Sequence, residues 1–185
     1  MENERLFNET IILIGPSGAG KSTIGQILSE RTNIRRVSID RIANKARKTG
    51  FMSQFKTMDD FKLFVLKDLI RRGKEDGKPS IVDAGAGHSV FEDKEKFDEA
   101  KKELAPFKNI VLLMPSEDID ESIRILASRS TGDYSPNRHF IESPCNKELA
   151  TMTVYENGRT PEEIADEIQR IIAERKKKRE ENDAR

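Results

Sequence analysis

Short apolar runs alternate along this chain with longer stretches of helical period. Residues 10–14 (TIILI) are apolar after the threonine, and residues 35–39, 80–84, 109–114 and 151–155 read as four further short strands. A strand that is apolar at every position is buried on both faces, as in the middle of a parallel sheet. Between these runs, residues 21–31, 41–48, 59–72, 93–104 and 117–128 carry helical patterns. In residues 59–72 the helix faces are marked by Phe61, Phe64, Val65 and Leu69, and Gly73, Gly77 and Pro79 are expected to break the chain after it. Gly50 closes the helix over 41–48. Residues 129–142 have no clean period and hold Gly132 and Pro136, which reads as a mobile lid. Ser143 caps a short helix through 150, with Pro144 at its first position. A last helix opens at Thr160-Pro161-Glu162-Glu163 and runs to about residue 178, with Ile164, Ile168, Ile171 and Ile172 as its core face. The alternation predicts an α/β fold, a parallel sheet wrapped by helices.

Composition narrows the function classes. The 185 residues suit a single domain over 1–185, and 35% hydrophobic against 36% charged residues is a polar but blocked pattern. Lys+Arg and Asp+Glu number 33 each, so no global field draws the chain to nucleic acid or anionic lipid. The run 175–179 (RKKKR) is followed by Glu180, Glu181 and Asp183, and reads as a solvated helix end expected to fray. Cys145 is the lone cysteine, so no internal disulfide forms, and it reads as a small buried filler. Residues 1–8 are charged and lack an apolar signal core. A cytoplasmic protein is expected, without membrane or nucleic-acid partners, as a monomer or weak dimer.

One motif carries chemistry. Gly15-Pro16-Ser17-Gly18-Ala19-Gly20-Lys21-Ser22 matches the phosphate-loop pattern at every fixed position, with a buried strand before it and a helix after it. Glycines let successive backbone N–H groups curl around an anion, and the following helix aims its unpaired N–H groups at the same phosphate. Lys21 reaches the outer phosphates, and Ser22 offers a hydroxyl to Mg²⁺. Thr23 completes the first turn. Asp83 ends the third strand (Ile81-Val82-Asp83), where an acid anchors Mg²⁺ in many P-loop enzymes. The bland alternative for Asp83 is an N-cap or turn aspartate. The chain is short for a motor and lacks the Asn-Lys-x-Asp pattern of small GTPases, which leaves the small P-loop kinases.

Within that group the chain resembles the shikimate kinase-like family over residues 11–172. Residues 15–24 (GPSGAGKSTI) are similar to that family's phosphate loop. Val37-Ser38-Ile39-Asp40 stands where the family has Asp-x-Asp, and Gly85-Ala86-Gly87 where it has three glycines. Residues 129–142 correspond to its lid. Glu148-Leu149-Ala150 and the stretch from Asn157 to Ile164 look like its adenine-side segment. The resemblance implies a five-stranded parallel sheet in the order 2-3-1-4-5, with ATP and Mg²⁺ as cofactors and an alcohol as acceptor. It implies that Arg124 and Pro161 flank the adenine. Arg129 or Arg138 would swing over the phosphates, and Asp40 would orient the acceptor hydroxyl or accept its proton.

The departures fall on the acceptor side. Ser38 replaces the family's first acid, Phe61-Lys62 stands for its Phe-Arg, and Glu142 aligns with an arginine. Those two arginines clamp a carboxylate in shikimate kinases, and lysine cannot copy the bidentate fork. Gly85, Gly87, Lys62, Arg138 and Glu142 join Asp40 as candidate acceptor-binding residues. A polyol, amino sugar or amino-cyclitol fits them better than shikimate. Residues 138–140 (RHF) also resemble the lid region of gluconate kinases, the rival acceptor class. Asp40 also suits a helix cap before Arg41, and each arginine also suits a plain surface role. His88 and His139 read as loop histidines. The competing classes are a regulatory, non-catalytic ATP-binding protein and a nucleic-acid end kinase, the latter disfavoured by the charge balance.

Overall fold

The computed structural model describes residues 2–129 and 135–183. Five parallel strands form one sheet in the order β2-β3-β1-β4-β5: β1 Ile11–Ile14, β2 Arg36–Ser38, β3 Ile81–Asp83, β4 Asn109–Met114 and β5 Met152–Tyr155. This is the order expected. Every residue of β1 and of β4 is buried, because each strand has neighbours on both edges and helices on both faces. In register, Ile11 faces Ile81 on one side and Asn109 on the other.

One face of the sheet is covered by α2 (Lys21–Thr32) and α9 (Pro161–Asp183), which bury Ile24, Leu28, Ile164 and Ile168 against Leu13, Val111 and Leu113. The other carries α3 (Ile39–Lys48), α4 (Met58–Asp76) and α5 (Lys94–Leu104), centred on Phe61, Ile12, Ile14 and Leu112. Helix α6 (Ile119–Ser128) follows β4 and meets α7 (Ser135–Glu142), and α8 (Pro144–Leu149) packs against α5 and β4.

Several boundaries differ from the sequence reading. An N-terminal helix, α1 (Glu2–Glu9), was not expected; Leu6, 3% exposed, roots it in the core. Gly73 does not break α4. The helix runs on to Gly77, whose φ of 61° ends it, and the missing side chain at Gly73 admits Leu6, whose Cδ1 would lie 3.1 Å from a Cβ there. The start of α4 is fixed by a capping box between Thr57 and Asp60. Strand β2 stops one residue early, because Ser38 caps α3 by accepting from the Arg41 N–H. Asp40 therefore sits in the first turn of α3 and is not its cap. A short 3-10 turn, Phe51–Gln54, precedes α4. The expected lid contains α7, while residues 130–134 fall outside those described. Helix α9 continues through its charged end to Asp183, with Lys176–Glu180 and Lys177–Glu181 one turn apart. Cys145 is buried, and among the described residues no helix is long and apolar enough to cross a membrane.

Candidate active site

The phosphate loop joins β1 to α2 through three glycines with positive φ, Gly15 (φ 132°), Gly18 (φ 83°) and Gly20 (φ 67°). At Gly15 the constraint is also spatial: a Cβ would lie 2.3 Å from the Leu113 carbonyl oxygen on β4. Gly20 precedes the first helical residue without a side-chain cap, so the N–H groups at the start of α2 open into the loop. Ser17 and Gly18 are exposed at its rim, Ala19 is buried beneath, and Ser22 and Thr23 open to solvent on the first turn of α2.

Lys21 is buried and donates to the carbonyl oxygens of Gly15, at 2.9 Å, and Pro16, at 2.7 Å. Burial pulls its pKa down to about 8, partly opposed by the nearby carboxylates of Asp83 and Asp40. The ammonium thus rests on its own loop, next to the place where phosphate oxygens would lie.

Asp83 is 1% exposed at the end of β3. Its Oδ2 accepts from Ser22 Oγ at 2.7 Å and from Arg36 Nη2 at 2.6 Å. This oxygen is thus engaged across the loop and not in a helix cap. A hydroxyl and a carboxylate converging beside the phosphate loop form the hard oxygen set that suits Mg²⁺, so the expected pair fits that ion. Arg36 escaped the sequence reading, since an arginine on a three-residue edge strand carries no signal of its target.

Asp40 lies across from the loop that follows β3. An ideal Cβ on Gly85 would sit 1.8 Å from Asp40 Oδ1, so only glycine leaves room for this carboxylate. His88 closes the turn, its N–H donating to Gly85 O at 2.8 Å, and its Nδ1 lies 3.5 Å from Asp40 Oδ1. Burial holds the imidazole below its ordinary pKa, against the pull of Asp40 and with some help from Lys62. Gly87 packs where a Cβ would touch the Phe140 ring of α7 at 3.4 Å. Ser89 bonds Asn146, which in turn donates to Phe140 O, so the glycine loop and α7 are tied together.

The charged acceptor-side candidates are already engaged. Lys62 pairs with Asp59 at 2.7 Å, donates to Val90 O at 2.6 Å and lies over the Phe91 ring. Asp59 also accepts from the N–H groups of Glu92 and Asp93, so its carboxyl, though pushed up by burial, is held below its usual range. The i,i+3 spacing of Asp59 and Lys62 was a readable signal for this pair. Arg138 and Glu142, expected together at the acceptor, pair with each other one turn apart on α7, and Arg138 also reaches Asp120 at 2.9 Å. His139, on the same helix, contacts Glu92.

The two remaining arginines separate. Arg129, just past α6, donates to Gly18 O of the phosphate loop at 3.1 Å and pairs with Glu156 at 2.7 Å. Glu156 is buried, and its other oxygen has no partner among the described residues. Arg124 is exposed and, among the described residues, bonds its own helix at Asp120 O. Pro161 opens α9 beside the Thr160–Glu163 capping box.

Comparisons with known proteins agree with this architecture. Residues 11–133 match the family described as AAA domain. The shikimate kinase of Corynebacterium efficiens is 26% identical over 169 residues, covering 85% of this chain and 93% of that protein. A shikimate kinase from Acinetobacter baumannii in complex with shikimate superposes with a TM-score of 0.65 at 19% identity, over 95% of this chain and 99% of the other. A gluconokinase from Sinorhizobium meliloti gives 0.59 at 16% identity, over 92% and 94%. The resemblance read from the motifs is thus matched along the chain, and the solved structures share its fold.

Proposed function

The chain belongs to the AAA domain family, and on that premise we propose that it is an ATP-dependent small-molecule kinase of shikimate kinase-like type, passing the γ-phosphoryl group to an alcohol of a small polyol or cyclitol. The observation that carries this reading is the meeting of Ser22 Oγ and Asp83 Oδ2 at 2.7 Å on the rim of the phosphate loop. A decayed nucleotide site has no need to keep that pair.

In this reading the loop N–H groups and Lys21 hold the β- and γ-phosphates. Ser22 and Asp83 are the residues that would hold Mg²⁺, whose chemistry is to bridge the phosphates and neutralise charge. Arg129 is the phosphate-side arginine, since it already rests on Gly18 O, whereas Arg138 is spent on Glu142 and Asp120. Adenine is assigned to the Arg124 and Pro161 side. Asp40 orients the acceptor hydroxyl over Gly85, where position matters more than basicity.

The acceptor class follows from what is left free. Lys62 is bound to Asp59 and Val90 O, and Arg138 to two carboxylates, so neither offers a free cation to an acceptor carboxylate. Asp40 instead presents a half-exposed carboxylate, which favours neutral or cationic alcohols over shikimate or gluconate. The test is a coupled ADP-release assay with Mg·ATP and a panel of polyols, amino sugars and amino-cyclitols, run beside shikimate and gluconate. Saturable turnover with a neutral or cationic alcohol is expected. Turnover with shikimate alone would refute the acceptor reading, and tight ATP binding with silence across the panel would favour the regulatory ATP-binding alternative.

A further inference from the structure

The sheet ends at β2, which pairs only with β3. Along its open edge, between α3 and α4, runs a groove of about 730 Å³. Five cations line it: Arg35 and Arg36 from the strand, Arg41 and Lys45 from α3, and Arg72 from α4. Two acids share it. Asp68 is already paired with Arg71 and Arg72, and Asp76 stands near its far end. Arg36 is spent on Asp83. Arg35, Arg41 and Lys45 are exposed and have no carboxylate within ion-pair reach among the described residues.

In a chain whose total charges cancel, this concentration of one sign in a concave surface is a local field. A concave wall focuses such a field and raises the local concentration of anions. Edge strands carry cations to discourage pairing with other strands. That accounts for Arg35 and Arg36. It does not account for Arg41 and Lys45, which come from α3 and line the same groove. Guanidinium groups on two walls match the geometry of successive phosphates, which accept in parallel from one fork.

We propose that this groove binds a phosphate chain, free or carried as an ester, at a site separate from the phosphate loop. It follows β2 from Ser38 down to Arg35, the end away from the acceptor carboxylate. The ligand is therefore a second anion, and the proposal stands whether or not the acceptor assignment does.

The phosphate loop must be filled for the test, because it would bind the same probe. Calorimetric titrations are made on the full chain saturated with Mg²⁺ and a non-hydrolysable ATP analogue. One arm uses inorganic tripolyphosphate and the other GTP. A further saturable event with tripolyphosphate alone assigns the site to free polyphosphate, and one with both assigns it to the ester as well. Either supports the groove. The double variant Arg41→Glu, Lys45→Glu should weaken that event at least about tenfold, while the affinity of the loop for the ATP analogue stays unchanged and shows that the variant is folded. Raising the salt concentration should weaken binding to the wild type. The absence of any event beyond the phosphate loop, or equal affinity in the double variant, would overturn the proposal.

Discussion

At pH 8.5 the protein should draw protons from solution as it binds Mg·ATP, and Lys21 should be their destination. Burial has brought this ammonium down to a pKa of about 8 from 10.5, with only backbone carbonyls and two carboxylates to hold its charge. A group with that pKa is ~0.1 deprotonated at pH 7, about half at pH 8 and ~0.75 at pH 8.5. Phosphates beside the amine favour the charged form and should return the pKa toward its ordinary value. Binding should then take up ~0.7 proton at pH 8.5 and ~0.1 at pH 7, and affinity at pH 9.5 should be about 30-fold below that at pH 7. Calorimetry in buffers of different ionisation heat reads this directly. Lys21→Arg, which stays charged, should abolish the uptake. An uptake below ~0.2 proton at pH 8.5, or an equal uptake in Lys21→Arg, would refute the argument. The sign for stability is opposite to that of a stabilised lysine. The folded pKa lies below the unfolded one, so the unfolded chain holds more protons between pH 8 and 10.5. The nucleotide-free protein should therefore gain stability across that window, by at most about 3 kcal/mol.

Four further outcomes follow from the geometry. Gly85→Ala should displace the Asp40 carboxylate, 1.8 Å from the new Cβ, and lower kcat/KM for the acceptor at least about tenfold while leaving ATP affinity intact. Gly15→Ala meets both the Leu113 carbonyl and a φ of 132°, and should cost about 3 kcal/mol or more in urea unfolding. Asp83→Asn should reduce ADP release about 100-fold or more and weaken Mn²⁺ binding to the nucleotide-loaded protein as seen by electron spin resonance. Asp59→Ala strands Lys62 and two backbone N–H groups, and should destabilise by about 2–4 kcal/mol at pH 7. Because the folded carboxyl titrates below its unfolded value, that difference should shrink as pH falls below 4.

The phosphate loop and the strand order were legible because both rest on short-range chemistry. Gly15, Gly18 and Gly20 are the residues such a backbone needs, and the apolar runs of β1 and of β4 after Asn109 announce a central place. Asp83 was found by its position at a strand end. Its partner Arg36 was not, since which cation reaches a buried acid is decided by how α2 and β2 pack, and Gly25 is what lets Arg36 pass. Lys62 had a visible neighbour three residues back, but its second bond, to Val90 O, depends on a loop 28 residues away. Helix α1 was missed because its apolar anchors, Leu6 and Phe7, are too few to show a helical period. The same lack of contrast hid the continuation of α4 past Gly73, whose meaning lies in Leu6, across the fold.

The place of β1 in the sheet has a consequence for synthesis on the ribosome. It is the first strand made and the middle one in the structure, between β3, some 70 residues later, and β4, about 100 residues later. Asn109 also ties its amide to the carbonyls of Asn8 and Thr10, and Gly15 sits against Leu113 O. The β4 edge of this early strand must therefore remain unpaired while about half the chain is made, and contacts so distant in sequence are slow to close. A nascent chain stopped before residue 109 has every residue of the nucleotide motif and no wall to hold it. Such a chain should not bind ATP, and nucleotide binding should appear abruptly once β4 has emerged.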